Sequence, residues 1–492
     1  MLTFNYKFLL LAAGIVMSSC EKLVEIDSPI DSITSAEVFS TDEQAKAAMA
    51  GVYTRMINGE DGRGTARTLF SAGLATVLGG FSADELNVVN TADVTGFFSF
   101  NTNKVLRNNG MSPGIWSSAY TAIYGANAVV EGIAASTSSA LSETARKKLT
   151  AEAKFVRALS YFYLVNFFGD VPLALTVDFN QTRNASRASV PDVYKQIISD
   201  LKAAQAGLPP ENTNAAGERI YPDSWAATAL LARVYLYTGD HVNAFKQSGT
   251  VIANTERFRL EPDLLNTFLK TSKEAIIQFR VNQASVSATG NATPEGFFLI
   301  PTTNGSNPPF YHVAYYLPQD LINIFEPDDK RFTSWIGFSP VNITGSPKYF
   351  PFKYKTGAHN RVMGGVPTEY YMVLRLAEQY LIRAEAAAKG ASSLSDAIDD
   401  LNVIRNRAGV GSLPHSLNQQ QVIDAIEKER RLELFMEWGH RWFDLKRTGR
   451  ATNVLSEYVI KQPWEGDYQL LYPIPETELE AGPNLIPNPG YY

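Results

Sequence analysis

The chain has 492 residues, 45% hydrophobic and 19% charged, which is the composition of a globular protein long enough to bury a large core. A formal net charge of -6 and a pI near 5.6 exclude nucleic acid as a partner, because a phosphate backbone is gripped by a basic surface. A single cysteine, at position 20, excludes any disulfide within the chain.

The first segment reads as an export signal. Lys7 supplies a positive charge, Phe8 to Val16 is apolar apart from Gly14, and Ser18 and Ser19 are small residues directly before Cys20. The apolar run is too short to cross a hydrocarbon layer of roughly 30 Å, which takes about 20 residues. Small residues ahead of a cysteine resemble the lipobox of bacterial lipoproteins, with Met17 where leucine is commonest. That resemblance implies a signal peptide over 1–19 and an acylated Cys20 that ties the protein to a membrane through its lipid. Residues 20–38 are then a polar, lipid-linked tether, and 39–492 a single folded body.

Helical signals follow. "STDEQAKAAMAGVYTRM" predicts a helix capped by Ser40 or Thr41. "GIWSSAYTAIYGANAVVEGI" predicts another, with Trp116, Tyr120, Ile123, Ala126, Asn127 and Val130 on one face. An asparagine on a buried face needs partners, so Asn127 is expected to tie the helix to a neighbouring loop. Three later segments, "TAEAKFVRALSYFYLVNFFGD", "DSWAATALLARVYLYTGDHVNAF" and "VLRLAEQYLIRAEAAAKGASSLSDAIDDLNVIRNRAG", repeat one theme. Each is an alanine-rich helix followed by a glycine (Gly169, Gly239, Gly390), and the last two restart as helices near Ala244 and Ala397. Small residues allow close helix approach and the glycines turn the chain, which is the logic of degenerate tetratricopeptide-like helix pairs. From about 270 to 370 the texture changes to Gly, Pro, Asn and aromatics, with short alternating runs such as "AIIQFRV". This predicts an irregular, loop-rich insert with a few short strands, the kind of segment that carries binding residues.

The sequence has no HExxH or Walker motif, and its five histidines are scattered, so neither a metal set nor a cofactor is expected. Asp84-Glu85 and Asp328-Asp329 are adjacent carboxylates that point opposite ways on an extended chain, and solvated loops or helix caps are expected for them. A glycosidase acid at Asp84 or Glu85 stays open at this point, since the two carboxylates of such an enzyme can come from anywhere in a chain. Near the end, "VIDAIEKERRLELFMEWGHRWFDLKRTGRA" puts Ile423, Ile426 and Leu434 on one helical flank, continued by Phe435, Trp438, Trp442 and Leu445. Glu427 and Arg431 stand at i, i+4, and charge this dense beside a core reads as a structural ion-pair network. The proline-rich "LLYPIPETELEAGPNLIPNPGYY" rules out a long helix and is expected to pack on the body.

These segments together resemble the SusD/RagB family of outer-membrane nutrient-binding lipoproteins. The resemblance rests on "AEAKFVRALSYFYLVNFFGDVPL", "RLAEQYLIRAEAAAKG", "AIDDLNVIRNRAG", "ERRLELFMEWGHRWFDLKRTGRA" and "YPIPETELEAGPNLIPNPGY", with Glu-Trp-Gly where the family often has Glu-Gly. It implies a mostly α fold, a scaffold of tetratricopeptide-like helix pairs bearing loop-rich inserts and a few short strands, and no enzymatic activity. It also implies a cell-surface lipoprotein that captures oligosaccharides, or in some members peptides, above a TonB-dependent SusC-like barrel transporter in the outer membrane.

A glycan ligand is held by rings stacked on aromatic faces and by polar groups on its hydroxyls. The candidates are Phe97, Phe98, Tyr311, Tyr315, Tyr316 and Trp335, with Arg331 and Asn342 as polar partners. The run "DVTGFFSFN" is favoured because one face of a helix or strand cannot bury consecutive aromatics. Two other classes make different demands. A lipid-anchored glycoside hydrolase turns over its sugar, and a scaffold that meets only its transporter binds no small ligand.

Overall fold

The computed structural model describes residues 35–59, 67–92, 96–214, 216–280, 289–303, 311–340 and 345–491. The signal segment, Cys20, most of the expected tether and Asn342 lie outside these described residues.

Helices dominate, and many of them begin at a capping side chain. Thr41 caps α1 (Asp42–Asn58) by accepting the Gln44 amide. Then come α2 (Leu74–Ser82), α3 (Phe97–Asn101), α4 (Ser112–Ala135), α5 (Glu143–Phe168), α6 (Val190–Gly207), α7 (Ser224–Tyr237), α8 (His241–Ile252), α9 (Pro294–Leu299) and α10 (Lys330–Trp335). After these come α11 (Leu376–Ala386), α12 (Leu394–Ala408), α13 (Gln419–Leu434) and α14 (His440–Arg447), with shorter helices elsewhere, among them Ala451–Leu455 and Glu476–Ala481. Among the described residues no helix is long and apolar enough to cross a membrane.

The scaffold is a succession of neighbours: α4 packs on α5, α5 on α6, α6 on α7, α7 on α8, α8 on α11, and α11 on both α12 and α13. The expected helix pairs are α7 with α8 and α11 with α12. Gly239 (φ 76°) and Gly390 (φ 99°) take the left-handed conformation between their members, and Ala244 and Ala397 are fully buried where the second helices start. Asn127, buried on α4, donates from Nδ2 to the carbonyls of Ala174 and Thr176, the loop tie its position calls for, and its Oδ1 accepts from Arg157.

The strands are short and pair only in twos: β1 (Asn87–Val88) with β7 (Tyr315–Tyr316), β2 (Val171–Pro172) with β3 (Arg187–Ala188), β4 (Ala275–Phe279) with β10 (Tyr371–Arg375), β5 (Thr302–Thr303) with β6 (Tyr311–His312), and β8 (Ile336–Ser339) with β9 (Lys348–Pro351). The "AIIQFRV" run is not half-exposed as its alternation suggests: β4 and β10 are buried along their whole length. This ribbon closes the base of the insert.

Two close approaches lock the ends of the chain to its beginning. A Cβ on Gly79 of α2 would stand 2.6 Å from the Cα of Gly439, so only a glycine admits α14 at this distance. The turn before α14 is bent through Met436 (φ 50°), Trp438 (φ 49°) and Gly439 (φ 73°). It is held there by the Met436 amide on Glu85 Oε2 and the Trp438 amide on Thr76 Oγ1. The proline-rich terminus packs on the body as expected. The Tyr472 amide donates to Phe167 O, and Asn488 Nδ2 donates to the carbonyls of Phe168 and Tyr472.

Candidate functional site

The insert meets the first part of the scaffold where β7 pairs antiparallel with β1, so that Asn87 faces Tyr316 and Val88 faces Tyr315. Buried Asn101, on α3, fixes β1 from behind. Its Nδ2 donates to Leu86 O and Asn87 Oδ1, and its Oδ1 accepts the Val88 amide. Lys461, wholly buried, donates to Phe81 O, Asn101 O and Asn103 Oδ1 beneath them, and burial pushes its ammonium down to about 7.

Successive strand side chains take opposite faces, so the two tyrosines part company. Tyr315 stacks on Phe298 of α9 with centroids 4.8 Å apart and meets Phe97 and Phe81 edge-on. Arg67 lies over this group, its guanidinium 5.5 Å from the Phe97 ring and 5.3 Å from that of Phe298. Tyr316 is half-buried, with the Lys348 ammonium 4.3 Å from its ring centre. Beyond it Leu317 bridges to Tyr349, which joins the β8–β9 hairpin to the same edge. In that hairpin Phe338 is 48% exposed and lies opposite Tyr349, with ring centres 4.8 Å apart. The result is a broken aromatic surface with cationic tips, suited to stacking against flat apolar faces while offering hydrogen-bond donors.

The candidates named from sequence fall into four groups. Tyr315 and Tyr316 are half-buried in this region, and Phe98 on α3 is half-buried against the core. Tyr311 lies in β6, where only its backbone is described, and Asn342 is outside the described residues. Arg331 and Trp335 require correction. Both are 0% exposed and cannot touch a ligand. Arg331 is consumed by Asp329 on two nitrogens (3.0 and 2.8 Å) and by Glu429 on the third (2.5 Å), and Trp335 Nε1 donates to Leu264 O. Phe97, 5% exposed, braces the rings in front of it. Sequence reasoning missed Arg67, Phe298, Phe338, Lys348 and Tyr349. The alternation of Ile336 with Phe338 was the one available signal for an outward ring.

The same fold occurs in known proteins. Residues 81–236 match a sequence model described as starch-binding and associating with the outer membrane, and residues 341–491 match the model of the SusD family, together well over half of the chain. The chain belongs to the SusD family. This is a family of carbohydrate-binding, non-catalytic proteins. SusD-like protein P2 of Formosa agariphila is 26% identical, with the alignment covering 99% of this chain and all of that one. A solved laminarin-binding SusD-like protein superposes with a TM-score of 0.75 at 26% identity, over 92% of this chain and 100% of its own. Surface glycan-binding protein A of Bacteroides thetaiotaomicron, solved with laminarihexaose, shares the fold at a TM-score of 0.74 and 20% identity, over 91% of this chain and 99% of its own.

In this SusD-family chain the carboxylates singled out from sequence are structural. Asp84 is not in a solvated loop: it is 4% exposed and clamped by Arg441 (2.8 and 3.0 Å) and Arg431 (2.8 Å). Burial alone would raise its pKa, but the two guanidinium groups hold it well below the usual carboxylate range. Asp329 caps α10 and pairs with Arg331. The expected Glu427–Arg431 pair does not form. Arg431 turns to Asp84, and Glu427 takes Arg441 and Arg450. The ion-pair network itself is larger than the motif suggested. Arg375 joins Glu274, Glu433 and Glu437 at 2.6 to 2.8 Å, and Lys353 closes on Glu437 at 2.5 Å.

Proposed function

We propose that this protein captures oligosaccharides at the β1–β7–β9 face and passes them to a TonB-dependent SusC-like transporter, held at the outer surface of the outer membrane by lipid on Cys20. The observation that carries the capture step is the half-buried Tyr316 with Lys348 over its ring at the β1–β7 edge, and the partly exposed Phe338–Tyr349 pair on the adjoining hairpin, on an insert braced by a helical scaffold. A flat sugar face gains from apolar contact with such rings, while its hydroxyls accept from the cationic tips. The laminarin-binding relative supports a glycan as ligand. The helix pairs, away from this face, supply the surface for the transporter.

Calorimetry of the mature chain carrying Cys20→Ala, against oligosaccharides that include laminarin fragments and against peptides, tests the capture step. Glycan binding that is weakened by Tyr316→Ala and leaves the sugar intact supports it. A response to peptides alone replaces the glycan with a peptide cargo. Incorporation of labelled palmitate into the wild type and its loss in Cys20→Ala tests the anchor, and co-purification of a barrel partner from detergent extracts tests the transporter.

A further inference from the structure

The short helix α9 is a wedge between the ligand face and the interior. Outward it presents Phe298, whose ring stacks on Tyr315 and stands 5.5 Å from that of Phe97. Inward it rests on the chain that follows β9 with no slack, since a Cβ on Gly296 would stand 2.5 Å from Thr356 O. Its first turn drives Glu295 into the interior, where the residue is 3% exposed. A carboxyl so placed needs either a cation or a proton.

No cation is left for it. Lys353, after β9, donates to Glu437 Oε1 at 2.5 Å and to Glu433 O at 2.8 Å. Glu437, on the turn before α14, is shared by Lys353 and Arg375, and its carboxylate repels a second one beside it. Thr76 of α2 and Tyr371 of β10 hydrogen-bond to Glu295 and stand 3.1 Å from each other. Burial and Glu295 itself hold Tyr354 and Tyr371 as neutral phenols. Burial first, then Glu437, pushes Glu295 up to about 8. The void that Glu295 shares with Lys353, Tyr354 and Met436 is 10 Å³, no more than the roughly 10–15 Å³ that one water occupies, so an ionised Glu295 cannot be hydrated where it stands. We propose that Glu295 is a proton-held latch of the ligand face: loss of its proton unseats α9, withdraws Phe298 from Tyr315 and loosens the grip on a bound glycan. That the face binds glycan rests on the function proposed above, whereas the seating of α9 does not.

The test is hydrogen exchange of the full mature protein between pH 7 and pH 9.5, read by mass spectrometry on peptides spanning residues 294–300 and corrected for the intrinsic pH dependence of amide exchange. Protection of α9 should fall about tenfold over that range in the wild type and hold in Glu295→Gln. Glu295→Met, uncharged and of similar length, serves if the amide variant fails to fold. Affinity for laminarin fragments, measured by calorimetry at the same two pH values, should weaken about threefold in the wild type and stay level in the variant. Glu85, pushed up to about 8, and Lys461, pushed down to about 7, titrate in the same range. A decline that persists in the Glu295 variants therefore belongs to other groups and overturns the proposal. Wild-type protection indifferent to pH overturns it as well, and so does α9 opening while affinity stays level. If no glycan binds at any pH the capture reading fails, and exchange alone decides the latch: a pH-dependent loss absent from Glu295→Gln upholds it, and any other result overturns it.

Discussion

Tyr316 and Phe338 are the rings that a ligand can reach with least rearrangement, whereas Arg331 and Trp335 serve the interior. The two pairs should therefore respond oppositely to truncation. Tyr316→Ala and Phe338→Ala are expected to weaken glycan binding by about 0.5–1.5 kcal/mol each, with the thermal midpoint little changed, as calorimetry and a melting scan will read. Arg331→Ala leaves the buried carboxylates of Asp329 and Glu429 without their cation and is expected to cost about 3–5 kcal/mol of stability by urea titration. Titration offers a second residue-level check. Glu85 and Glu295 are pushed up to about 8, both chiefly by burial, with Asp84 adding to the first and Glu437 to the second. Each keeps a proton in the fold that the unfolded chain releases near its ordinary 4.5, so the stability it contributes is complete below that pH and is lost as pH rises through about 8. Glu295→Gln should flatten the decline, read as the urea midpoint between about pH 5 and pH 9. At this scale the sequence was least legible. An arginine in "DDKRF" looks free until α13 brings Glu429 and Glu433 against it from 98 and 102 positions away.

The elements were easier to read, because their signals are local. Thr41, the glycines after the alanine-rich helices and the periodic face of α4 all specify structure within a few residues, and the helix pairs stand where those signals put them. The β4 strand misled because alternation reports a half-exposed ribbon only when one side meets water, and here both faces are covered. Nor does any local pattern pair Asn87 with Tyr316, the register that assembles the ligand face. The α2–α14 crossing gives the element-level prediction. Gly79→Ala pushes a methyl onto the Gly439 backbone and should cost about 1–3 kcal/mol, seen as a lowered urea midpoint.

Across the whole molecule, the main apolar core draws on residues from Phe39 to Ile474, a second apolar cluster lies among α11, α12 and α13, and the chain end returns over α5. Arg187 on β3 donates to Ile486 O, and Asn488 spans Phe168 and Tyr472, so the last residues act as a strap. Ending the chain at residue 482 is expected to lower the thermal midpoint by several degrees while retaining the helical circular dichroism of the scaffold. The buried charges have one further consequence. Salt screens charges that face water over about 10 Å at 0.1 M, but it does not enter a network whose members are almost wholly covered. A fold secured in this way is indifferent to brine: its cohesion should hold steady from dilute buffer to seawater, leaving only the exposed lysine and arginine tips to register the salinity around them.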